Sequence, residues 1–289
     1  MPMDGLTLSF VVRELNDQLA GGRVDKVMQP ERDELNILVR SRGKNQLLLL
    51  SASAGCARAH IAAVKKINPL EPPMLCMLLR KHVVGGRIVG FRQADGDRIL
   101  EIAFEHVDEL GERAEKVLVC EFMGRHSNLI FVGADGRILD SARRVTEQMS
   151  SVREVLPGLR YERPPGHGKV KFDAPEEEIA RAVAAGSGAL HKAIAGAISG
   201  LSVQTARELA FRAAGDEDAH TSEIDMAAAA VRVARAIRDA MRAPEPAVYY
   251  GEDGEPIDVV AFRYESRAHL RAERFDTLSE AMDAFYRAR

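Results

Sequence analysis

Cysteine is scarce in this sequence, which has only three among 289 residues. Cys56, Cys76 and Cys120 are odd in number, widely separated and set in apolar sequence. That pattern argues against a disulfide framework or a zinc site and is typical of small buried thiols. We therefore expect no metal centre.

Long apolar runs are absent as well. No stretch approaches the roughly 20 apolar residues that a membrane-spanning helix needs. The N-terminus lacks the basic region, apolar stretch and cleavage site of a signal peptide. The sequence therefore predicts a soluble globular protein of the cytoplasm that has no membrane partner.

Sequence motifs of catalysis are also missing. There is no G-x-S-x-G elbow, P-loop, G-x-G-x-x-G sequence or metal-ligand spacing. One enzymatic alternative stays open, because removal of Met1 would leave Pro2 as a secondary amine of the kind that some DNA glycosylases use as a Schiff-base nucleophile. Such a site needs a carboxylate beside the proline, but Met3 follows it and Asp4 lies one position further on. We expect no catalytic residue, no cofactor and no small-molecule substrate.

Neither sign of charge dominates, since 40 Lys and Arg stand against 43 Asp and Glu. Residues 1–173 carry a net charge of +3 and residues 174–289 one of −6. Proteins that coat nucleic acid are strongly basic, so any polyanionic partner must bind a local patch.

The apolar pattern predicts an α+β fold. It consists of a mostly antiparallel sheet domain with flanking helices, followed by a small all-α domain. Helices are predicted over residues 6–20 and from Pro72 onward, and each ends at a glycine pair. A shift of 64 residues places Gly21–Val24 on Gly85–Ile88, which predicts a twofold helix-strand-strand repeat. Strands are predicted over residues 23–28, 35–40, 46–50, 87–89, 100–105, 116–121, 129–132 and 137–139.

The composition changes after the proline- and glycine-rich stretch that ends at Gly168. We predict a sheet domain over residues 1–173, a helical domain over 174–243, and a β-hairpin that returns to the first domain over 244–289. Ile194–Ala206 has the form of a helix-hairpin-helix module, whose backbone N–H groups can bind phosphate, and a helical bundle without a ligand is the alternative. The chain ends inside a predicted helix, which indicates a longer protein.

Two polar stretches stand out from the predicted strands. Gly124-Arg125-His126-Ser127-Asn128 separates two apolar runs, where glycine permits close approach of a ligand and arginine can bind phosphate bidentately. Asp97-Arg98 follows a turn at the start of a strand. The alternatives are an irregular turn with an exposed arginine in the first case, and a carboxylate that caps its own turn in the second.

Several segments together resemble the NFACT family, whose bacterial members are RqcH-type ribosome quality-control factors, also called fibronectin-binding protein A homologues. The similar segments are Asp4-Gly5, 19–30, 48–52, Asn68-Pro69, 72–82, Asp97-Arg98, 123–128 and 156–158. The resemblance implies a first domain related to the N-terminal domain of the formamidopyrimidine-type glycosylases, then a helix-hairpin-helix domain. Longer members continue into a coiled coil, which residues 277–289 would approach, and a further RNA-binding domain.

The resemblance also implies a function. Family members bind the large ribosomal subunit that still carries peptidyl-tRNA, and they recruit an aminoacyl-tRNA, alanyl-tRNA in bacteria, for untemplated C-terminal tailing. Carried over to this sequence, the residues implicated in tRNA engagement are Asp97, Arg98, Gly124, Arg125, His126, Ser127 and Asn128. Arginine suits phosphate or base edges, histidine can stack on a splayed base, and Ser127 and Asn128 could bond to an RNA edge. Asp97 would repel phosphate and suits a base donor or the orientation of Arg98. A fibronectin-binding adhesin is the remaining alternative.

Overall fold

The structure, a computed structural model, describes residues 3–107, 111, 113–166 and 168–288. These residues form two compact units, each of which is described by itself. The first contains residue 3 with residues 11–94 and 98–165, and the second contains residues 4–10, 95–97 and 166–288. Pro2, the nucleophile of the glycosylase alternative, lies outside the described residues.

The first unit is built on one nine-stranded sheet whose neighbouring strands are all antiparallel. Its strands occur in the order β4-β3-β2-β1-β5-β6-β7-β8-β9. The predicted antiparallel sheet is therefore confirmed, and β4 is the strand that the sequence analysis missed. The elements are α1 (Gly5–Leu19, which begins in the second unit), β1 (Arg23–Glu31), β2 (Glu34–Ser41), β3 (Lys44–Ser51), β4 (Arg58–Ala62), α2 (Met74–Val83), β5 (Arg87–Gln93), β6 (Ile99–Val107), β7 (Arg113–Glu121), β8 (Asn128–Val132) and β9 (Ile138–Ser141).

A shift of 64 residues relates the two halves of this sheet. The halves join where Arg23 of β1 pairs with Arg87 of β5, which are equivalent positions. Both strands also carry a register shift at the equivalent place, after Val24 and after Ile88. The predicted repeat is therefore confirmed at the level of strand pairing.

The helices obey the same shift. Asn16 of α1 donates from Nδ2 to the carbonyl of Phe91, at 2.8 Å. Arg80 of α2, 64 positions later, donates from Nε to the carbonyl of Val27 at 2.9 Å, and Val27 is the equivalent of Phe91. Each helix thus binds the first strand of the other half, so the two halves stabilise one another reciprocally.

Residues that follow β9 cover one face of the second half of the sheet. A cluster of buried side chains from β6 to β9 packs there against Val155, with Tyr161 beside it. Glu121, fully buried on the same face, forms an ion pair with Arg153 and accepts a hydrogen bond from the Tyr161 hydroxyl at 2.9 Å. This buried ion pair fastens the segment to the sheet.

The second unit combines five α-helices with a small sheet. Its elements are α3 (Glu176–Ala184), α4 (Leu190–Ala197), α5 (Val203–Ala214), α6 (Met226–Arg242), β10 (Ala247–Tyr250), β11 (Pro256–Val260), β12 (Arg271–Arg274) and α7 (Leu278–Arg287). β10 lies between β11 and β12, and β12 escaped the sequence analysis. No helix in the described part of the chain is both long and apolar enough to cross a membrane.

The predicted hairpin after residue 244 belongs to this second unit. The buried carboxylate of Glu208 on α5 accepts hydrogen bonds from the backbone of Glu265 and Ser266, at 2.8 and 3.1 Å. Phe262 stacks on Phe10 of α1, which lies in the same unit. The hairpin is thus attached both to the helices and to the beginning of the chain.

Candidate nucleic-acid interface

Three neighbouring strands bring most of the predicted site to one end of the sheet. β6 begins at Ile99, β7 ends at Glu121 and β8 begins at Asn128, and these three residues pair in one row. The ladder continues one step further, where the amide of Phe122 donates to the carbonyl of Arg98 at 2.8 Å. Arg98 and the stretch Gly124–Asn128 therefore lie at the same end of the sheet.

The connection from β7 to β8 contains a single turn of 3-10 helix, Gly124–His126. Its first residue has φ +57°, a left-handed conformation that glycine adopts at little cost. A Cβ at Gly124 would meet nothing within 4 Å, so the backbone here is open to a ligand. The side chains of Arg125 and His126 are exposed on this turn.

Arg125 and His126 contact each other. Nε of Arg125 donates to Nε2 of His126 at 3.0 Å. The pair therefore presents a guanidinium cation beside an aromatic ring.

Ser127 and Asn128, in contrast, are buried. Nδ2 of Asn128 donates to the carbonyl of Arg143 at 2.7 Å, and its Oδ1 accepts from the amides of Leu129 and Arg143 at 3.0 and 2.9 Å. Its amide group is thus engaged within the protein. The Ser127 hydroxyl has no hydrogen-bond partner among the described residues.

Arg143, which the sequence analysis did not single out, completes this arrangement. Asn128 holds its backbone, and its Nη1 donates to the carbonyl of Arg125. Arg143 therefore supports the turn that carries Arg125 and His126. The only signal in the sequence is the pair Arg143-Arg144 just after β9, of which Arg144 forms an ion pair with Asp140.

Asp97 is placed differently from its neighbour. It is half-buried and belongs to the second unit, whereas Arg98 and Gly124–Asn128 belong to the first. The structure thus brings Arg98, Gly124, Arg125, His126, Ser127 and Asn128 together. That Asp97 shares their surface stays a prediction.

Three other arginines, one on β5 and two in the residues that follow β9, are paired with carboxylates. The carboxylate of Glu101 binds both Arg92 and Arg163, and that of Glu121 binds Arg153. Burial, and then the charge of Glu121, raise the pKa of the Tyr161 hydroxyl, which keeps it a hydrogen-bond donor. These cations hold the fold together, so they are poorly suited to binding phosphate.

The second predicted phosphate site, the start of α5, is occupied by a carboxylate of the same unit. Asp4, itself buried, accepts on Oδ2 from the amide of Ser202 at 3.0 Å and from the hydroxyl of Thr205 at 2.6 Å. Its Oδ1 accepts from the amide of Thr7 at 2.8 Å. Asp4 thus caps α1 and binds Ser202 and Thr205 at the start of α5, where its charge would repel phosphate.

The described residues offer no site for a metal ion or for a nucleophilic thiol. No three His, Cys, Asp or Glu side chains are grouped there as metal ligands. Cys76 and Cys120 are buried, and burial raises the pKa of both thiols. Such thiols are poor nucleophiles.

Comparisons with known proteins agree with the resemblance. Residues 4–289 match the family described as NFACT N-terminal and middle domains. The "Rqc2 homolog RqcH" of Bacillus subtilis is 36% identical over 290 residues, which cover 99% of this chain and 49% of the relative. The ribosome quality control complex subunit 2 of Saccharomyces cerevisiae is 25% identical over 153 residues, or 53% of this chain and 14% of that protein.

Solved structures show the same fold. The N-terminal part of the fibronectin/fibrinogen-binding protein of Streptococcus suis matches with a TM-score of 0.83 at 29% identity, and the fibrinogen-binding protein of Staphylococcus aureus with 0.82 at 26%. Each match covers 99% of both chains. The chain spans about half the length of the curated Bacillus relative. With a match over nearly all of its residues, the chain belongs to the NFACT family and is of the RqcH type.

Proposed function

We propose that this protein acts in ribosome quality control by binding tRNA at the sheet end formed by Arg98 and Gly124–Asn128. The observation that supports the proposal is the exposed Arg125-His126 pair on a glycine turn. Hydrogen bonds of Asn128 and Arg143 stabilise this turn. A rigid scaffold that projects a cation and an aromatic ring suits the phosphate and the unstacked base of an RNA loop.

Each residue has a distinct part in this proposal. Arg125 and Arg98 bind phosphate or a base edge, and His126 stacks on a splayed base. Gly124 leaves the backbone open to the RNA, and Asp97 accepts from a base donor or orients Arg98. Asn128 supports the turn instead of binding RNA, because its amide group is hydrogen-bonded to the backbone of Arg143 and Leu129.

The proposed partners follow from the family. The names of the relatives refer to Rqc2 and to the ribosome quality control complex. We assign to this protein the binding of a large ribosomal subunit with peptidyl-tRNA and the recruitment of aminoacyl-tRNA, with alanyl-tRNA expected. Peptidyl transfer, which adds the untemplated tail, is left to the ribosome in the cytoplasm, so the protein itself needs no catalytic residue or cofactor.

The test is tRNA binding by Arg98→Ala and Arg125→Ala. Each change should weaken binding about tenfold or more, because a charge-assisted contact to phosphate contributes roughly 1.5–3 kcal/mol. Arg137→Ala is the matched control, since Arg137 is an exposed arginine beside Ile138, which pairs with Val132 at the opposite end of β8. Unchanged binding and tailing in both variants would refute the assignment.

Two other functions are testable against this one. An adhesin is suggested by the names of the structural relatives, which refer to fibronectin and fibrinogen. Saturable binding of purified fibronectin, together with surface labelling on intact cells, would favour it. A glycosylase acting through Pro2 would leave a borohydride-trapped adduct on abasic DNA that disappears in Pro2→Gly.

A further inference from the structure

The segment between β4 and α2 exposes apolar side chains that a folded chain ordinarily buries. Ile67 exposes 94% of its surface and Leu70 all of it. Val64 precedes them, and Met74 and Met77 of α2 follow, each more than half exposed. Single exposed apolar residues are common, but five within 14 positions are unusual and are typical of an interaction site.

Proline stiffens this segment. Residues 64–73 form neither helix nor strand, bend at Leu70-Glu71 and contain Pro69, Pro72 and Pro73. Pro73 has φ −60° and ψ 157°, close to polyproline II. A proline also restricts the residue before it to extended conformations. Leu70 thus lies between Pro69 and the restricted Glu71. When a partner binds, ordering this bend costs less conformational entropy than ordering a flexible loop.

An ion pair ties the segment to the sheet. Nζ of Lys66 lies 2.7 Å from Oε2 of Glu34, a buried carboxylate of β2. The neighbouring side chain of Ile67 points into solvent instead. The tether thus fixes the segment while its apolar side chains stay available.

Positive charge exceeds negative charge around the apolar side chains. Residues 63–81 contain Lys65, Lys66, Arg80 and Lys81 against the single acid Glu71. Because Lys66 is paired with Glu34 and Arg80 donates to the carbonyl of Val27, the charge offered to a partner rests on Lys65 and Lys81. A partner must therefore offer an apolar pocket together with carboxylates at its rim. A second copy of this chain would offer the same excess of positive charge and no acid-rimmed groove of its own here.

We propose that Val64–Met77 docks into an aromatic-lined, acid-rimmed groove of a partner protein, with Leu70 as the anchor. RNA fits this surface less well, because RNA is bound through aromatic or guanidinium planes and hydrogen-bonding groups. Residues 63–77 contain no aromatic residue and no arginine, and the nearby Arg80 of α2 donates to the carbonyl of Val27. None of these residues is assigned to the tRNA site, and the proposal holds whether or not the protein binds tRNA.

The test uses the full-length protein in cells, with the photoreactive residue p-benzoylphenylalanine in place of Leu70. Irradiation should give an adduct with one protein, and the cross-linked peptide should contain aromatic residues and carboxylates. Ile67→Asp in the same chain should lower the yield of the adduct at least tenfold, and Lys65→Glu several-fold. Both positions are exposed, so thermal unfolding should be unchanged.

The matched control carries the photoreactive residue at Ile257, an exposed apolar position of β11. It should give no such adduct. An adduct with RNA, an adduct with a second copy, no adduct at all, or a yield that is indifferent to Ile67→Asp would each overturn the proposal.

Discussion

Within the stretch Gly124–Asn128, neighbouring residues have opposite surroundings. Arg125 and His126 face solvent, whereas Ser127 and Asn128 face the interior. The sequence alone could not separate them, because all four are polar and hydrogen-bonding. What separates them is β8, which begins at Asn128 and whose five residues are all buried.

Asn128→Ala should both destabilise the protein and weaken tRNA binding. The change leaves buried backbone groups of Arg143 and Leu129 without partners, which costs roughly 1–3 kcal/mol. Arg143 then loses its fixed position, and with it the contact to the carbonyl of Arg125. Urea unfolding and tRNA affinity measure the two effects.

The control for this variant is Ser127→Ala. The hydroxyl of Ser127 is buried without a hydrogen-bond partner in the part of the chain that the structure describes, so its removal should not destabilise the protein. If Ser127→Ala nevertheless weakens tRNA binding, the hydroxyl contacts RNA, as the sequence analysis predicted. If Asn128→Ala is equally harmless to stability, its proposed supporting part is wrong.

His82 on α2 should make stability depend on pH. Burial, and then the charges of Lys116, Lys81 and His106, lower the pKa of this imidazole from its ordinary value of 6.5. The unfolded chain then binds a proton more readily than the folded one. The stability that depends on neutral His82 is therefore fully present above pH 6.5, and it is lost as the pH falls below that value.

The measurement compares urea unfolding of the wild type and His82→Phe at pH 7.5 and 5.5. The ring of His82 already lies against that of Phe131, with centroids 6.1 Å apart, so phenylalanine suits the position. The loss of stability at pH 5.5 should be smaller in the variant. An equal loss in both proteins would assign the pH dependence to other groups.

At the scale of elements, the sequence predicted the repeat but not all of its strands. The equivalence of the two glycine pairs could be recognised in the sequence because glycine is favoured at such turns. It related β1 and β2 to β5 and β6. β4 was missed because Arg58-Ala59-His60-Ile61-Ala62 lacks the β-branched, alternating pattern of a strand. Its burial comes from pairing with β3 alongside, a contact that the local pattern does not record.

The start of α1 and the α4–α5 turn approach each other too closely for side chains. A Cβ at Gly5 would lie 2.5 Å from the carbonyl oxygen of Gly96 and 3.0 Å from the Cα of Gly200. The carbonyl oxygen of Gly200 would lie 3.1 Å away. Because all three contacts are to backbone atoms that cannot rotate away, Gly5→Ala should destabilise the protein by about 2–4 kcal/mol.

Thermal or urea unfolding checks this expectation against Gly196→Ala. Gly196 lies in α4 and has open space around its Cα, so alanine there should stabilise by about 0.5–1 kcal/mol. A Gly5→Ala protein as stable as the wild type would show that these backbones can separate.

At the scale of the whole molecule, composition limits how the protein could bind nucleic acid. With 40 basic against 43 acidic residues, the chain cannot bind nucleic acid through its overall charge. Ion pairs within the protein also reduce the number of arginines that could contact RNA, since Arg92, Arg153 and Arg163 are bound to buried carboxylates. The predicted phosphate site at α5 could not be tested from sequence, because Asp4, which fills it, lies 198 residues away.

This distribution of charge makes the salt dependence of tRNA binding a decisive measurement. If Arg98 and Arg125 supply the phosphate contacts, about two counterions are released, so the slope of log affinity against log salt should be roughly −1.4 to −1.8. Raising salt from 50 to 200 mM should then weaken binding only about tenfold, and the double variant Arg98→Ala, Arg125→Ala should lose most of that dependence. Each phosphate contact adds a similar increment to the slope. A thousandfold loss of affinity in the wild type, or an unchanged slope in the double variant, would therefore mean that other cations bind the RNA phosphates.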